Sequence, residues 1–324
     1  MTAFATTTRV ADPLGVHPVF SSDSGIVLAA PAKLNLFLEI LRKRPDGYHD
    51  LESLMVAIDL FDTLEIHGTS SGEIVLRCEP PSLSAGPDNL VHKAAMALRA
   101  YVEPQGPGRG FPRQLGAEIR LTKRIPTQAG LGGGSSDAAA ALVGLNEIWK
   151  LGLTRSELLA IAASLGSDVA FFLTLPAAWC TGRGEVVSPE EGASHFHFVL
   201  VCPPVGLGTA GVYKQLAVPP KPIPGDAVRS AFRAGDAEQL GRAIFNRLEE
   251  PAFALEPLVG RIRQRLGSFG PLSPCGAMMS GSGSAVFAVC RDRIHATQVA
   301  GSFQDSRPAD EPESRVLVVR SFTP

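Results

Sequence analysis

The chain has little cysteine: five residues in 324, at positions 78, 180, 202, 275 and 290, odd in number and never spaced as C-x-x-C. That pattern excludes a disulfide framework and paired-thiolate zinc sites, and it fits a reducing cytoplasm. Positive charge is not in excess either, since 30 Lys and Arg stand against 32 Asp and Glu. No broad basic field exists to hold nucleic acid or an anionic membrane, so an anionic ligand must be held by a local site. No run reaches the roughly 18 apolar residues of a membrane span. Residues 1–24 also lack the continuous apolar core of a secretory signal. Thr6 to Thr8 with Arg9 faintly resemble a transit peptide, but Asp12 and Asp23 oppose it, and the segment 1–24 reads as a disordered tail. No internal repeat is present.

What is there suffices for two domains. In P-A-K-L-N-L-F-L-E-I a period of two puts Ala32, Leu34, Leu36, Leu38 and Ile40 on one strand face and Lys33, Asn35, Phe37 and Glu39 on the other. Asp46-Gly47 signals a turn before a second apolar run, Leu54 to Leu64, which together predict a long hairpin. Asn89 to Ala100 has helical spacing, P-Q-G-P-G-R-G-F-P reads as a loop, and A-E-I-R-L-T-K-R-I-P as a strand stopped by Pro126. Ala138, Ala141, Leu142, Leu145, Ile148 and Trp149 predict a helix with Gly152 as its C-terminal cap, and Thr154 with Glu157 forms a capping box opening another helix that ends near Gly166. Composition changes at V-V-S-P-E-E-G-A-S, which puts a boundary near residue 189 between domains at 25–188 and 189–324. Beyond it come a strand (Phe196 to Cys202), a proline-rich loop (Pro219 to Pro224), helices within 226–267, and a second glycine-serine turn leading into a strand.

The segment Q-A-G-L-G-G-G-S-S-D-A-A-A-A-L at 128–142 sets a glycine cluster against a helix start. Glycine lets backbone N–H groups converge on an oxyanion, and a helix's first turn offers unpaired N–H groups and the positive end of its dipole. The simpler alternative is a sharp turn with Ser135, Ser136 or Asp137 as a helix cap, but a cap needs one glycine rather than four. A Walker A loop requires G-K-[ST], and here Gly134 is followed by two serines. The Rossmann fingerprint requires a glycine where Ser135 stands, and H-R-D and D-F-G are both absent. The loop is a phosphate cradle of another class.

Its pattern, Pro126 through Ser136, resembles the second motif of the GHMP kinases, P-x-x-x-G-L-G-[S/G]-S-[S/A]. P-A-K-L-N-L-F-L at 31–38, D-G-Y-H at 46–49, G-S-D-V at 166–169, G-R-G-E at 182–185, N-x-L-E at 246–249 and S-G-S-G at 280–283 follow in the family's order. The set looks like the members that phosphorylate a cytidine diphosphate-linked methylerythritol on the route to isoprenoid precursors. Four positions depart from the usual pattern: Gln128 replaces a small residue, Ala170 a proline, Arg247 an aspartate, and Thr209 a serine.

The resemblance implies an α+β fold with a ribosomal protein S5 domain 2-like N-terminal domain, a ferredoxin-like C-terminal domain and an active site between them. It implies ATP and Mg2+ as cofactors, a small-molecule alcohol as substrate, and neither nucleic acid nor membrane as partner. Gly130, Leu131, Gly132, Gly133 and Gly134 would cradle phosphate, with Ser135 and Ser136 bonding phosphate oxygens or magnesium. Asn89 and Lys123 match positions around adenine. Asp168 matches the family's catalytic aspartate; alone, it reads equally as a turn or N-cap residue. Lys33 matches the lysine near the acceptor hydroxyl, its alternative being a solvated lysine on an outer strand face. Asn35, two residues on, points the same way as a partner for acceptor hydroxyls. Tyr48 and His49 otherwise read as turn-flanking residues. By resemblance Tyr48 stacks on the base with Tyr213, His49 reads its edge, and Thr209 and Lys214 lie nearby. S-G-S-G is either a second backbone nest or a simple turn.

Three rivals remain at this point. A homoserine or mevalonate type of kinase has no cytosine to recognise, so D-G-Y-H counts against it. Lys33 with Asp168 counts against a nonenzymatic nucleotide-binding regulator, and near-neutral charge counts against an RNA-binding protein with the S5-like fold.

Overall fold

The computed structural model describes residues 18–21, 25–105, 114–192 and 195–322. Its first sheet is built on the expected hairpin. Strands β2 (Gly25–Lys43) and β3 (His49–Thr69) pair antiparallel from Gly25↔His67 to Lys43↔His49. Gly47 takes φ 87° at the turn and donates its N–H to the Arg44 carbonyl at 3.2 Å. Strand β1 (Pro18–Ser21) pairs with β2 through Pro18↔Leu28 and Ser21↔Ile26. That part of the segment read as a disordered tail is a strand; the rest of the tail lies outside the described residues. Strand β4 (Ile74–Glu79) runs parallel to β5 (Gly116–Thr122), which pairs with the far half of β3. Strand β6 (Ala177–Thr181) takes the near half of β3 at Ser53↔Cys180, and β7 (Val186–Pro189) adds to β6.

Helix α1 (Leu90–Val102) crosses between β4 and β5. The stretch read as a loop after it begins in a 3-10 turn, Glu103–Gln105, and then passes outside the described residues. Helix α2 (Gly133–Ile148) follows the glycine loop and is buried almost all round, from Ser136 to Asn146 without a break. Its run of alanines explains this, because small side chains let it sit close to the sheet. A Cβ at Gly144 would come within 2.6 Å of Ile66 Cδ1. The left-handed residue closing α2 is Lys150, with φ 53°, rather than Gly152, which takes φ 62° in the turn beyond. Helix α3 (Arg155–Leu165) opens with the Thr154–Glu157 capping box and ends at Gly166, as the sequence predicts. Helix α4 (Val169–Phe172) then leads into β6.

The second sheet has the order β10-β11-β8-β12, all antiparallel, formed by β8 (His197–Cys202), β10 (Gly276–Met279), β11 (Val286–Cys290) and β12 (Arg315–Arg320). Helices α5 (Thr209–Gln215), α6 (Asp226–Ala234), α7 (Ala237–Ala243), α8 (Glu249–Leu255) and α9 (Pro257–Leu266) lie between its first two strands, and α10 (Arg293–Asp305) between its last two. This is the β-α-β-β-α-β order of the ferredoxin-like arrangement. Strand β9 (Phe245–Asn246) returns to the first sheet and runs parallel to β2 at Phe37 and Leu38.

The two sheets share a core in which Ala32, Leu34, Leu36 and Phe37 of β2 meet Phe198 and Phe287. A bulge between Asn35 and Phe37 breaks the strict alternation of β2. Both faces of its middle stretch are covered, and Lys33 and Asn35 are buried rather than solvated. Among the described residues no helix is long and apolar enough to cross a membrane, and all five cysteines are free.

Candidate active site

One cleft of about 1120 Å³ gathers the glycine loop, Lys33, Asn35, Tyr48, His49, Asn89, Lys123, Asp168, Thr209, Tyr213, Lys214 and the S-G-S-G turn. The glycine loop is clamped from several sides. Leu131 accepts the Lys33 N–H at 3.0 Å, Ala129 accepts the Ala285 N–H at 3.1 Å, and Gly130 accepts the Ser280 hydroxyl at 3.0 Å. Gly130 has φ 73°, and a Cβ there would lie 2.0 Å from the Ser280 carbonyl oxygen. Gly132, with φ 68°, is the N-cap of α2, and no side chain caps the helix. The simple-cap alternative for Ser135, Ser136 and Asp137 therefore fails. The first-turn N–H groups are left facing the cleft, the arrangement that binds phosphate. Ser136 Oγ and Asp137 Oδ1 are buried without a protein partner. Unpaired buried oxygens are costly, so a ligand or ion fits there.

Lys33 is 3% exposed, yet its Nζ lies 3.6 Å from Asp168 Oδ2 and donates to Asn35 Oδ1. Asn35 Nδ2 donates to Ser53 Oγ at 2.8 Å, and Ser53 donates to the Phe37 carbonyl at 2.6 Å, which fixes the carboxamide's orientation. Asp168 occupies the N-cap position of α4, but its side chain makes no capping bond. Its carboxylate faces the Lys33 ammonium and is a third exposed, on the lining of the cleft.

On the glycine-loop side, Lys123 is clamped between two buried carboxylates. Its Nζ donates to Asp137 Oδ2 at 2.7 Å and to Asp62 Oδ2. Burial holds the Asp137 carboxyl well above the usual carboxylate range; the Lys123 charge opposes this and the neighbouring Asp62 charge adds to it. Asn89 lines the cleft while capping α1: its Oδ1 accepts the Val91 N–H at 2.9 Å and its Nδ2 donates to the Ser84 carbonyl at 2.7 Å.

On the opposite side, the His49 and Tyr213 rings lie 5.4 Å apart at 37°. Burial, then the Lys43 charge, hold His49 below the ordinary histidine range, so its ring is neutral at pH 7 and offers one donor and one acceptor. Tyr48 is 55% exposed and lies under the Arg183 guanidinium, 4.8 Å from ring centroid to Cζ. Thr209 Oγ1 is 2.9 Å from Ser282 Oγ, joining the G-L-G-T loop to the S-G-S-G turn.

The profile described as "GHMP kinases N terminal domain" matches residues 89–174, and that described as "GHMP kinases C terminal" matches 228–308. The 4-diphosphocytidyl-2-C-methyl-D-erythritol kinase of Pelotomaculum thermopropionicum is 42% identical over 301 residues, covering 92% of this chain and 99% of its own. The chain belongs to the GHMP kinase family. A crystal structure of 4-(cytidine 5'-diphospho)-2C-methyl-D-erythritol kinase superposes with TM-score 0.71 at 32% identity, covering 92% of this chain and 100% of that one. A homoserine kinase from Cytophaga hutchinsonii also gives TM-score 0.71, covering 92% of this chain and 95% of that one, but at 18% identity the likeness is one of fold alone.

The structure accounts for three of the four departures from the GHMP pattern. Gln128 has φ 53°, and its side chain occupies the space left by Gly206, where a Cβ would come 2.9 Å from Gln128 Oε1; its carbonyl accepts the Leu207 N–H at 3.3 Å. Arg247 makes a bidentate pair with the fully buried Glu39, Nε to Oε1 at 2.8 Å and Nη2 to Oε2 at 2.7 Å. Thr209 keeps the hydroxyl of the serine it replaces. Nothing in the structure explains Ala170.

Several residues in or beside this cleft have no role in the sequence reading. Asp62 lies mid-strand in β3 and carries no motif, although the Lys123 it holds was identified. Asp137 reads in the sequence only as a cap. Arg183 lies in G-R-G-E, and Asn246 and Glu249 in N-x-L-E, without a signal in the sequence that gives them a role.

Proposed function

We propose that this GHMP kinase transfers the γ-phosphoryl group of ATP to the 2-hydroxyl of 4-diphosphocytidyl-2-C-methyl-D-erythritol, giving ADP and the 2-phosphate. The observation that carries the reading is the Lys33–Asp168 contact of 3.6 Å in a cleft shared by the glycine loop and the His49–Tyr213 pair. Groups suited to phosphate binding, proton transfer and base recognition thereby share one cleft. The 99% coverage of the Pelotomaculum enzyme supports the same substrate.

In this reading the N–H groups of the 130–134 loop and the first turn of α2 hold the ATP phosphates. Asp168 accepts the acceptor's hydroxyl proton as the oxygen attacks the γ-phosphorus in line and the bond to the β-phosphate oxygen breaks. Lys33 stabilises the developing alkoxide, and Asn35 orients the acceptor through its carboxamide. No covalent enzyme intermediate forms. The unpartnered Ser136 hydroxyl is a fitting oxygen donor for Mg2+, which when bound neutralises charge on the β- and γ-phosphates. Lys123 and Asn89 border the nucleotide. His49 reads the cytosine edge, Tyr48 and Tyr213 provide ring faces, and Thr209 and Lys214 line the same end. A domain boundary near residue 189, between β7 and β8, and a cytoplasmic location belong to the same proposal.

The test is a phosphoryl-transfer assay with purified protein, ATP and a panel of alcohols. Turnover of the cytidine-linked alcohol with little or none of homoserine and mevalonate is expected. The reverse preference, or ATP binding without transfer to any acceptor, would overturn the reading.

A further inference from the structure

The N-x-L-E stretch at 246–249 has no part in the chemistry above, yet it is hydrogen-bonded to a turn that is itself hydrogen-bonded to the groups around the reacting centre. Asn246 is buried, and its Nδ2 donates to the carbonyls of Met279 and Gly281, both at 2.8 Å, while its Oδ1 accepts the Leu248 N–H at 2.9 Å. Both carboxamide protons are thus committed to one turn. Glu249 Oε1 accepts the Met279 N–H at 2.8 Å. These bonds act where the β10–β11 ladder stops, because β10 ends at Met279 and β11 resumes at Val286. From the other side, Arg247 donates its N–H to the Leu38 carbonyl at 2.9 Å, tying the stretch to the strand that carries Lys33 and Asn35.

The braced turn meets the catalytic groups directly. Ser280 Oγ donates to the Gly130 carbonyl at 3.0 Å and accepts the Asn35 N–H at 3.3 Å. Gly281, with φ 56°, approaches so closely that a Cβ there would lie 3.2 Å from both Lys33 Nζ and Asn35 Oδ1. The Gly281 backbone is therefore a wall of the pocket that holds the ammonium. Lysine has a flexible four-carbon stem, so its aim depends on such walls.

We infer that Asn246 is a positioning residue for phosphoryl transfer: its carboxamide, backed by Glu249, holds the Gly281 backbone against Lys33 and Asn35 and keeps the ammonium aimed at the acceptor hydroxyl. The inference rests on the kinase reading above. A misplacement of about 1 Å in a reacting group costs about 10²-fold in rate, so the effect belongs in kcat.

The experiment compares Asn246→Asp, Asn246→Ala, Ser280→Ala and the Asn246→Ala/Ser280→Ala double variant, with kcat corrected for the folded fraction by circular dichroism. Asn246→Asp keeps size and shape but turns an acceptor toward two carbonyl oxygens. We expect it to lose about 30- to 100-fold in kcat, with KM for ATP and for the cytidine substrate each within about 3-fold. The double variant should lose less than the product of its singles, because both act through one turn. Asn246→Asp retaining kcat within about 3-fold, or strictly multiplicative losses, would overturn the role. If Asn246→Asp does not fold, Ser280→Ala decides, and undiminished kcat in that variant sinks the inference. A wild-type protein that fails to phosphorylate the cytidine substrate would instead refute the reading beneath it.

Discussion

Lys33 Nζ and Asp168 Oδ2 lie 3.6 Å apart, with the lysine side chain 4% exposed and the aspartate 32%. The asymmetry suits their assigned roles, since a base must meet the acceptor hydroxyl while the cation behind it is shielded from water. Asp168→Asn should lower kcat by roughly 10² to 10⁴, the range for losing a positioned base, with KM for ATP nearly unchanged. Because the carboxylate is a third exposed, the loss of stability should be small, about 1 kcal/mol or less. Steady-state kinetics and urea denaturation of the same preparation check both, and wild-type turnover in this variant would remove Asp168 from the chemistry.

His49 gives a pH prediction with a definite sign. Its folded-state pKa is lowered by burial and then by Lys43, so the unfolded chain takes up this proton more readily than the folded one. The histidine's contribution to stability is therefore complete above about 6.5 and is lost as pH falls from there through the folded value. If the neutral ring reads the cytosine edge, KM for the cytidine substrate should be flat from pH 8 to about 6.5 and rise only in more acidic buffer. Lys43→Ala should move the onset upward. An onset above pH 7 in the wild type, or an equal rise in KM for ATP, would remove His49 from base recognition.

Two glycines of one loop should respond in opposite ways. Gly130 takes φ 73°, and an added Cβ would meet the Ser280 carbonyl oxygen at 2.0 Å, a backbone atom that cannot swing aside. Gly130→Ala should cost about 2 to 4 kcal/mol, combining a left-handed alanine with a steric overlap, and should abolish ATP binding. Gly134 is helical, and its nearest foreign atom would be Leu90 Cδ1 at an ordinary 3.5 Å. Gly134→Ala should leave stability unchanged or raise it by up to about 1 kcal/mol. Denaturation midpoints rank the two, and equal midpoints would contradict the loop geometry.

Local signals carried far in this chain, and their limit was tertiary cover. The hairpin turn at Gly47, the capping box at Thr154 and the helix behind the glycine loop each rest on a few neighbouring residues, so they were legible. The glycine loop and the Lys33, Asp168 and His49 positions were legible because motif spacing carries them. The strand at Pro18–Ser21 was not, because four residues are too short to show a period and the strand is set by pairing with β2, a partner that no local pattern names. Lys33 could equally have been a solvated lysine, since alternation says which residues share a face but not that a second sheet and a glycine loop bury both faces. Asp62 carries no periodic or motif signal and Arg183 lies in a motif that names no role for it, so only contacts across the fold, to Lys123 and to the Tyr48 ring, bring them into view. Gln128 departs from the local pattern because its left-handed backbone and the missing Cβ of Gly206, far along the chain, fit each other only in the folded chain.

Arg247 stands where the family pattern has an aspartate, and the reason is Glu39. Burial raises that carboxyl, but the hydrogen bonds of Arg247 and of the Ile223 and Ile40 N–H groups outweigh it, and its pKa is lowered overall. A carboxylate with a lowered folded-state pKa adds stability above its unfolded value, about 4.5, and that stability is lost as pH falls through the folded value. Arg247→Ala leaves the fully buried carboxylate without its cation and should cost about 3 kcal/mol at pH 7, the low end for breaking a buried pair because the arginine itself is partly exposed. Arg247→Asp restores the family residue but sets a second carboxylate beside the first, so it should be worse than alanine at pH 7, with the gap closing toward pH 4. Adding Glu39→Gln to Arg247→Asp should recover part of the loss, since the amide still accepts a backbone N–H and carries no charge to repel Asp. Urea denaturation of the four proteins at pH 7 and pH 4 tests the scheme. If Arg247→Asp is as stable as wild type at pH 7, the Glu39 pair does not explain why this chain departs from its family.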